Sequence, residues 1–497
     1  MSTDGTADLA ARAAHRHVVV VGGGMAGLVA ARECAKVGMH VTVLEAAAEL
    51  GGAIRRAELD GVTVDAGAES YATRGGHVRT LLDELGLTDA IVTPNPAGAW
   101  LVGALGVDAA PLPKGGILGI PANPFADDVR RIIGWGGAWR AYVDRLRPPL
   151  TIGQERSLGT LVSKRMGAKV RDLLVAPVTA GVYSADPDDV DTEIAAPGLN
   201  EALTRAGSLS GGVAQLLADR ADRAKKAPGS AVEAIAGGMS VLVDALAADL
   251  EELGAVVRTG VPVDAIVRDG DGWTVSFPIA AEGEEPSAET VSADALIVAT
   301  AEPSARALLD GQVTGLGAEG EAPQIEIVSL LLDAPSLDAA PRGTGVLTVP
   351  GSHIAKALTH ATAKWEWLRA AAGGRHVVRV SFGAQGEPAA TGELDDDAAA
   401  RLALTEAEAL LGVALPESVL IAAHRARFAQ SQPSSLIGAA DRRRAVRTAV
   451  QKVDGLGVVG AWLSGTGLAQ VVPDAMTEAD RVRRALLWGD GGPLSTP

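Results

Sequence analysis

Cysteine is almost absent. Cys34 is the single one in 497 residues, which excludes an intramolecular disulfide framework and any cysteine-built metal cluster. Aromatic residues are scarce, at 3%, so the interior must be assembled from Val, Leu, Ile and Ala, as in helix-covered sheets. The N-terminal stretch MSTDGTADLAARAAHR lacks the apolar centre of a secretory signal, and residues 1–16 read as a mobile leader. An uninterrupted membrane span is missing too: GLGVVGAWLSGTGLAQVVP is broken by glycines and a proline. Positive charge is in deficit, with a formal net charge of −17, which argues against nucleic acid or an anionic membrane as a general partner. The expectation is a soluble, cytoplasmic chain of two to three domains.

What is present begins with HVVVVGGGMAGLVAARECAKVGMHVTVLEA, residues 17–46. Val18 to Val21 have the composition of a strand buried on both faces. They run into Gly22-Gly23-Gly24-Met25-Ala26-Gly27. Gly22 permits a tight turn, Gly24 lets the backbone approach a pyrophosphate, and Gly27 allows close helix packing, while a helix N-terminus offers its N–H groups. A helix over Leu28 to Val37 follows, Gly38 stops it, and a strand from His40 to Leu44 delivers Glu45-Ala46. From there a carboxylate accepts the ribose hydroxyl protons of an adenosine. The plainer alternative is a glycine-rich turn in an α/β core with a solvated Glu45. Cys34, on the helix, reads as a small packing residue.

A second glycine pair, Gly51-Gly52-Ala53-Ile54-Arg55, resembles the extended fingerprint of two-domain flavoproteins, in which this loop covers the FAD phosphates; a hairpin turn with a surface arginine is the competing interpretation. Residues 88–230 are helical stretches punctuated by Pro, Gly and Trp. Around AIAGGMSVLVDALAADLEELGAVVRTG the nucleotide-domain pattern returns, with strands joined by Asp-Gly turns beyond it. AAEGEEPSAE reads as an exposed, solvated hairpin tip, and Leu296 to Thr300 as another buried strand. A strand in VDGLGVVGA and a helix in VVPDAMTEADRVRRALL close the chain. The predicted fold class is α/β: a discontinuous Rossmann-like domain from residues 17–87, 231–320 and 441–497, with an inserted mixed α+β substrate-binding domain from 88–230 and 321–440.

Taken in order, GGGMAGL, LEAAAELGGAIR, VDAGAES with Arg74 after it, APVTAGVYSADPDDV, GGMSVLVDAL, KALTHATAKWEWL and GAWLSGTGLAQVVPDA resemble the FAD-dependent protoporphyrinogen and coproporphyrinogen oxidase family, within the amine-oxidase-like flavoproteins. The wording of VDAGAES is most similar to the bacterial coproporphyrinogen III oxidase branch. The resemblance implies non-covalent FAD, held by the N–H groups of Gly23 to Gly27, by Glu45 and by the Gly52, Ala53 and Arg55 loop. It implies ring contacts from Gly67, Ala68, Glu69 and Ser70, from Phe428, and from Val471, Val472 and Pro473, with Val263 against adenine. It also implies removal of six electrons from a porphyrinogen in three steps, reoxidation by O2 to hydrogen peroxide, and a role in heme biosynthesis. The flavin carries the hard step, so no catalytic side chain is required. A large apolar ring with carboxylates needs aliphatic walls and a few cations; Arg74 is the leading candidate, then Lys356 and Arg427, with Tyr183 as a wall. Surface ion pairs are the plain alternative for the three cations. A transient contact with a ferrochelatase would follow from the photoreactive product.

One segment departs from the family pattern. Where a Leu-Pro-Gln-Tyr run ending in Gly-His is usual, this chain has RFAQSQPSSLIGAADRR, with Ser435 and Ala439 in place of Tyr and His and Phe428 where Trp is common. Competing functions are a protoporphyrinogen IX oxidase, a flavin amine oxidase and a non-catalytic porphyrin-binding protein. An amine oxidase usually cages its substrate between aromatics, and Trp462 is the sole aromatic of the C-terminal block. No metal site is expected; His353 and His360, seven apart, are a weak pair that would have to share a helix face.

Overall fold

A computed structural model describes residues 9–104, 106–147, 155–226, 231–279, 287–320, 322–429 and 435–488. Its organising element is a five-stranded sheet in the order Val256–Arg258, His40–Leu44, His17–Val21, Ala295–Val298 and Leu456–Val458. All four pairings are parallel, with Val18 opposite Ala295 and His17 opposite His40. Side chains on a strand alternate between faces, and here the two faces feed two cores. Val18, Val20, Val41 and Val43 pack with the helices Met25–Ala35, Ser240–Glu252 and Leu468–Trp488. Val19, Val21 and Leu44 pack with Ile266, Trp273 and Val275, which come from an antiparallel sheet of Ala265–Asp269, Gly272–Ile279 and Ser287–Ala293. The run of valines thus reflects burial on both sides of the sheet.

A second sheet has seven strands, in the order Leu420–Ala429, Gln324–Leu332, His376–Phe382, Ala357–His360, Gly345–Thr348, Ala99–Val102 and Ala109–Pro111. The helix Asp396–Leu411 covers one face through Ala399, Ala403, Leu404 and Leu410. A third core joins helices between Asp127 and Lys226, among them Leu158–Met166, Ala176–Tyr183 and Leu199–Ala206.

Several expectations are adjusted. The helix after the glycine turn starts at Met25, directly after Gly24 and three residues before the predicted Leu28, and ends at Ala35. The leader is not mobile throughout: residues 9–13 are helical, and Ala13 is fully buried with Leu9 packed against the same core, four residues apart on one helix face; residues 1–8 lie outside the described residues. Most of the acidic tip does as well, although the strands flanking it pair as a hairpin would. Cys34 is buried, and burial pushes its thiol up to about 12. No helix among the described residues is long and apolar enough to cross a membrane.

Candidate functional site

The glycines after His17–Val21 differ in what they tolerate. Gly22 has φ +114°, and a Cβ there would lie 2.8 Å from the carbonyl carbon of Ala299. At Gly27 a Cβ would sit 1.9 Å from the Gly22 carbonyl oxygen, so helix and strand approach as closely as glycine permits. At Gly24 the nearest atom is Gly52 Cα at 3.8 Å. That position opens on space, beside the N–H groups of a helix's first turn, which have no intrahelical acceptor. Glu45 leaves the end of His40–Leu44 and turns back: its Oε2 accepts from Gly23 N–H at 2.5 Å and its Oε1 from Ala47 N–H at 2.8 Å. The carboxylate is fixed beside the turn with lone pairs left over for further donors.

Of these groups, Gly24 borders a cleft of about 450 Å³, and Glu45 stands outside its lining. Its wall includes Gly24, Met25 and Ala26 after the first strand, Ala299 to Ala301 after Ala295–Val298, and Gly460 to Trp462 after Leu456–Val458. These are the carboxyl ends of three parallel strands, where open α/β sheets receive ligands. The loop supplies Gly52, Ala53 and Arg55, the next segment Ala68, Ser70, Tyr71 and Ala72, the second sheet Arg427 and Phe428, and the last helix Leu468 and Val471. Among the described residues, two arginines line the cleft and no carboxylate does. Arg55 donates to the Gly52 carbonyl, and Arg427 pairs with Glu326 while remaining half exposed.

Other expected cofactor residues stand behind this wall. Gly22, Gly23, Gly27 and Gly67 form the backing; at Gly67 a Cβ would meet the Ala53 carbonyl at 2.0 Å. Ala46 is exposed beyond the strand end, and Val472 is fully buried in the core beneath the last helix. Pro473 is inside that helix and half-buried, off the wall. Val263 packs against the core under the parallel sheet, in a loop whose Gly260 and Val261 donate to the carbonyls of Ala47 and Glu45. Glu69 turns away from the cleft, because Lys364 and Arg379 hold it at 2.5 and 2.6 Å. Burial would raise this carboxyl; Lys364 first and Arg379 next overcome that and hold it at about 2. Arg379 also donates to the Gly67 carbonyl, so the pair braces the segment behind the cleft.

The substrate candidates separate. Arg427 lines the cleft, and Arg74 is exposed two residues beyond its Ala72 edge. Tyr183 ends the helix Ala176–Tyr183 and lies within electrostatic reach of Arg74, while burial raises its hydroxyl. Lys356 is not in the cleft but in a second cavity. His353 and His360 do not share a helix: His360 ends a strand, and its Nε2 meets His376 Nδ1 at 3.1 Å.

The flavin-containing amine oxidoreductase family model matches residues 25–487. The chain belongs to that family. It is an FAD-dependent oxidase. Among curated relatives of this flavoprotein, the coproporphyrinogen III oxidase of Mycobacterium tuberculosis is 28% identical over 484 residues, covering 95% of this chain and 98% of the relative. That of Bacillus subtilis is 23% identical, covering 92% and 96%. A solved structure from Exiguobacterium, provisionally named a protoporphyrinogen oxidase, shares the fold with a TM-score of 0.77 at 23% identity, covering 94% of this chain and 99% of that one. The flavoprotein's own atoms fit the cofactor: open space at Gly24 and a wall whose charged side chains, among the described residues, are two arginines suit a pyrophosphate, while Glu45, anchored by the Gly23 and Ala47 N–H groups, stands outside the wall with lone pairs free for a ribose.

Sequence reasoning missed several wall residues of this flavoprotein: Ala299, Thr300 and Ala301, Gly460 and Ala461, and Thr466 to Leu468. Their signal is their position directly after short buried strands. Tyr71 and Phe428 join Trp462 in the wall, so the cleft is more aromatic than the C-terminal block implies. Lys364 and Arg379 were missed as well; an arginine inside the apolar strand HVVRVSF was the available signal.

Proposed function

We propose that this flavoprotein oxidises coproporphyrinogen III to coproporphyrin III in heme biosynthesis, with O2 as the terminal acceptor and hydrogen peroxide as the by-product. The substrate loses six hydrogens, two to each of three O2 molecules. Bound FAD supplies the two-electron acceptor, which no side chain of the protein can replace. The remaining work is binding, orientation and shielding. In this reading the N–H groups from Gly23 to Gly27 receive the pyrophosphate and Glu45 the ribose, with Val263 beside adenine. Ala68, Ser70, Phe428 and Val471 flank the ring system, with Gly67, Glu69, Val472 and Pro473 supporting their segments from behind. FAD is held without a covalent link. Arg74 and Arg427 receive substrate carboxylates, and Tyr183 forms part of the wall.

The observation that carries the reading is the cleft lining: apolar and aromatic residues with Arg55 and Arg427 and, among the described residues, no Asp or Glu. In a chain of net charge −17, such a wall suits an apolar ligand bearing anions. The same lining disfavours a cationic amine, although Tyr71, Phe428 and Trp462 could face one. We assign the protein to the cytoplasm and infer a transient contact with a ferrochelatase; a pull-down without ferrochelatase would overturn that contact.

The test is to load purified protein with FAD and follow porphyrin fluorescence in air, with coproporphyrinogen III, protoporphyrinogen IX or an alkyl diamine, against a protein-free control. Faster porphyrin formation from the tetracarboxylate supports the proposal. Preference for the dicarboxylate transfers it to protoporphyrinogen oxidation, and oxygen uptake with the diamine alone refutes it.

A further inference from the structure

Lys356 precedes the strand Ala357–His360 and borders a cavity of about 150 Å³ that shares no lining residue with the flavin cleft. Its Nζ donates to Ser184 Oγ at 2.7 Å and makes no ion pair among the described residues. An ammonium has three donors, so two are unspent, and burial lowers Lys356 to about 8. Even partial burial of a cation without a counter-ion among the described residues is unfavourable.

Two further polar groups line the same cavity. Gln385 Oε1 is buried without a hydrogen-bond partner, although the Gln385 backbone N–H donates to the Ser184 carbonyl at 2.9 Å. The oxygen and nitrogen of an amide exchange places by rotation, so Gln385 can present N–H donors. His353 spends Nδ1 on Ser352 Oγ at 3.0 Å, and its other ring nitrogen has no partner among the described residues. The two acids at the border are engaged or solvated: Asp186 accepts from Arg171 and from the Asp188 N–H, and Glu387 is exposed.

Ser184, which accepts from Lys356, belongs to the helix end that carries Tyr183. It follows Tyr183 and caps the helix in a left-handed conformation, φ +54°, which is a strained choice for a non-glycine residue. Tyr183 lies within electrostatic reach of Arg74, two residues beyond the cleft wall at Ala72.

We propose that the cavity of Lys356, Gln385 and His353 is a carboxylate pocket, which receives a propionate-type side chain of the substrate at a position where the dicarboxylate carries a vinyl group, and so selects four carboxylates over two. The identity of the substrate rests on the porphyrinogen reading; the cavity and its unspent donors do not.

The experiment is a fluorescence titration of the flavin-loaded protein with coproporphyrin III and with protoporphyrin IX, for wild type, Lys356→Met, Lys356→Arg and Gln385→Leu. Flavin content and melting temperature serve as folding controls. Lys356→Met is expected to weaken coproporphyrin binding roughly 10- to 100-fold, as for loss of a charge-assisted contact, with protoporphyrin affected by less than about twofold. Lys356→Arg should restore part of the loss, and Gln385→Leu should reproduce a smaller one even if Lys356→Met fails to fold. Equal losses for both porphyrins, or none, would overturn the pocket while leaving the oxidase reading intact. Selective loss in a protein that turns over no porphyrinogen would keep the pocket and sink the oxidase reading. Absence of porphyrin binding in the wild type would overturn both.

Discussion

The guanidinium carbon of Arg55 lies 5.5 Å from the ring centroid of Phe428, so the glycine loop of the first sheet is tied to the edge strand of the second across the flavin cleft. A cation over an aromatic face contributes about 0.5–1 kcal/mol at a partly exposed site. Phe428 also packs behind the cradle, 3.2 Å from where a Gly67 Cβ would be. Phe428→Leu should therefore weaken FAD binding by a few-fold, read as flavin lost on dilution and gel filtration. Unchanged flavin retention in this variant would deny the contact any role.

The glycines should divide into two classes. Gly27→Ala drives a methyl into the Gly22 carbonyl, an overpacking that costs about 1–3 kcal/mol, and lowers both melting temperature and flavin content. Gly24→Val meets open space instead. It should leave the melting temperature of the flavin-free protein nearly unchanged while abolishing the flavin spectrum. Equal thermal destabilisation by the two substitutions would contradict this division.

Glu69 predicts an acid window. Its carboxyl is held at about 2 against 4.5 ordinarily, so its contribution is complete above pH 4.5 and is lost as pH falls toward 2. The gap corresponds to about 3 kcal/mol. Glu69→Gln leaves Lys364 and Arg379 without their shared counter-ion and should lower stability at pH 7 by a similar amount. In urea titrations between pH 7 and pH 2.5, the difference between wild type and variant should shrink with acid; a constant difference would refute the assignment.

Cys34 should be silent in the native state. It is fully buried, with its thiol pushed up to about 12, and the thiolate is the reacting species. A disulfide reagent at pH 8 should label it no faster than the protein opens, and urea should accelerate labelling in step with unfolding. Fast labelling of folded protein would show that the helix Met25–Ala35 detaches locally.

The glycine turn of the candidate site was legible because its geometry is local. Gly22 through Glu45 lie in one strand-turn-helix-strand unit, where Gly22 supplies a positive φ and Gly27 leaves room for the Gly22 carbonyl. Ala299 to Ala301 and Gly460 to Trp462 face the same cleft through parallel pairing across the sheet. Alanine and glycine there act by backbone position, which leaves no side-chain signature to read. Lys356 was singled out as a cation, but its separation from the cleft depends on how the seven-stranded sheet meets the helix Ala176–Tyr183. Glu69 read as a ring contact because neither Lys364 nor Arg379 is near it in sequence.

The parallel sheet that organises the site draws its strands from residue 17 to residue 458, and the cleft wall is closed by Val471 on the last helix. During synthesis the first glycine turn leaves the ribosome hundreds of residues before the edge strand it needs, and such distant pairings form late and slowly. The nascent chain therefore has a turn ready for a nucleotide but no enclosure to retain it. Cofactor capture becomes a terminal event of biosynthesis, and a ribosome stalled before Leu456 would carry a colourless chain.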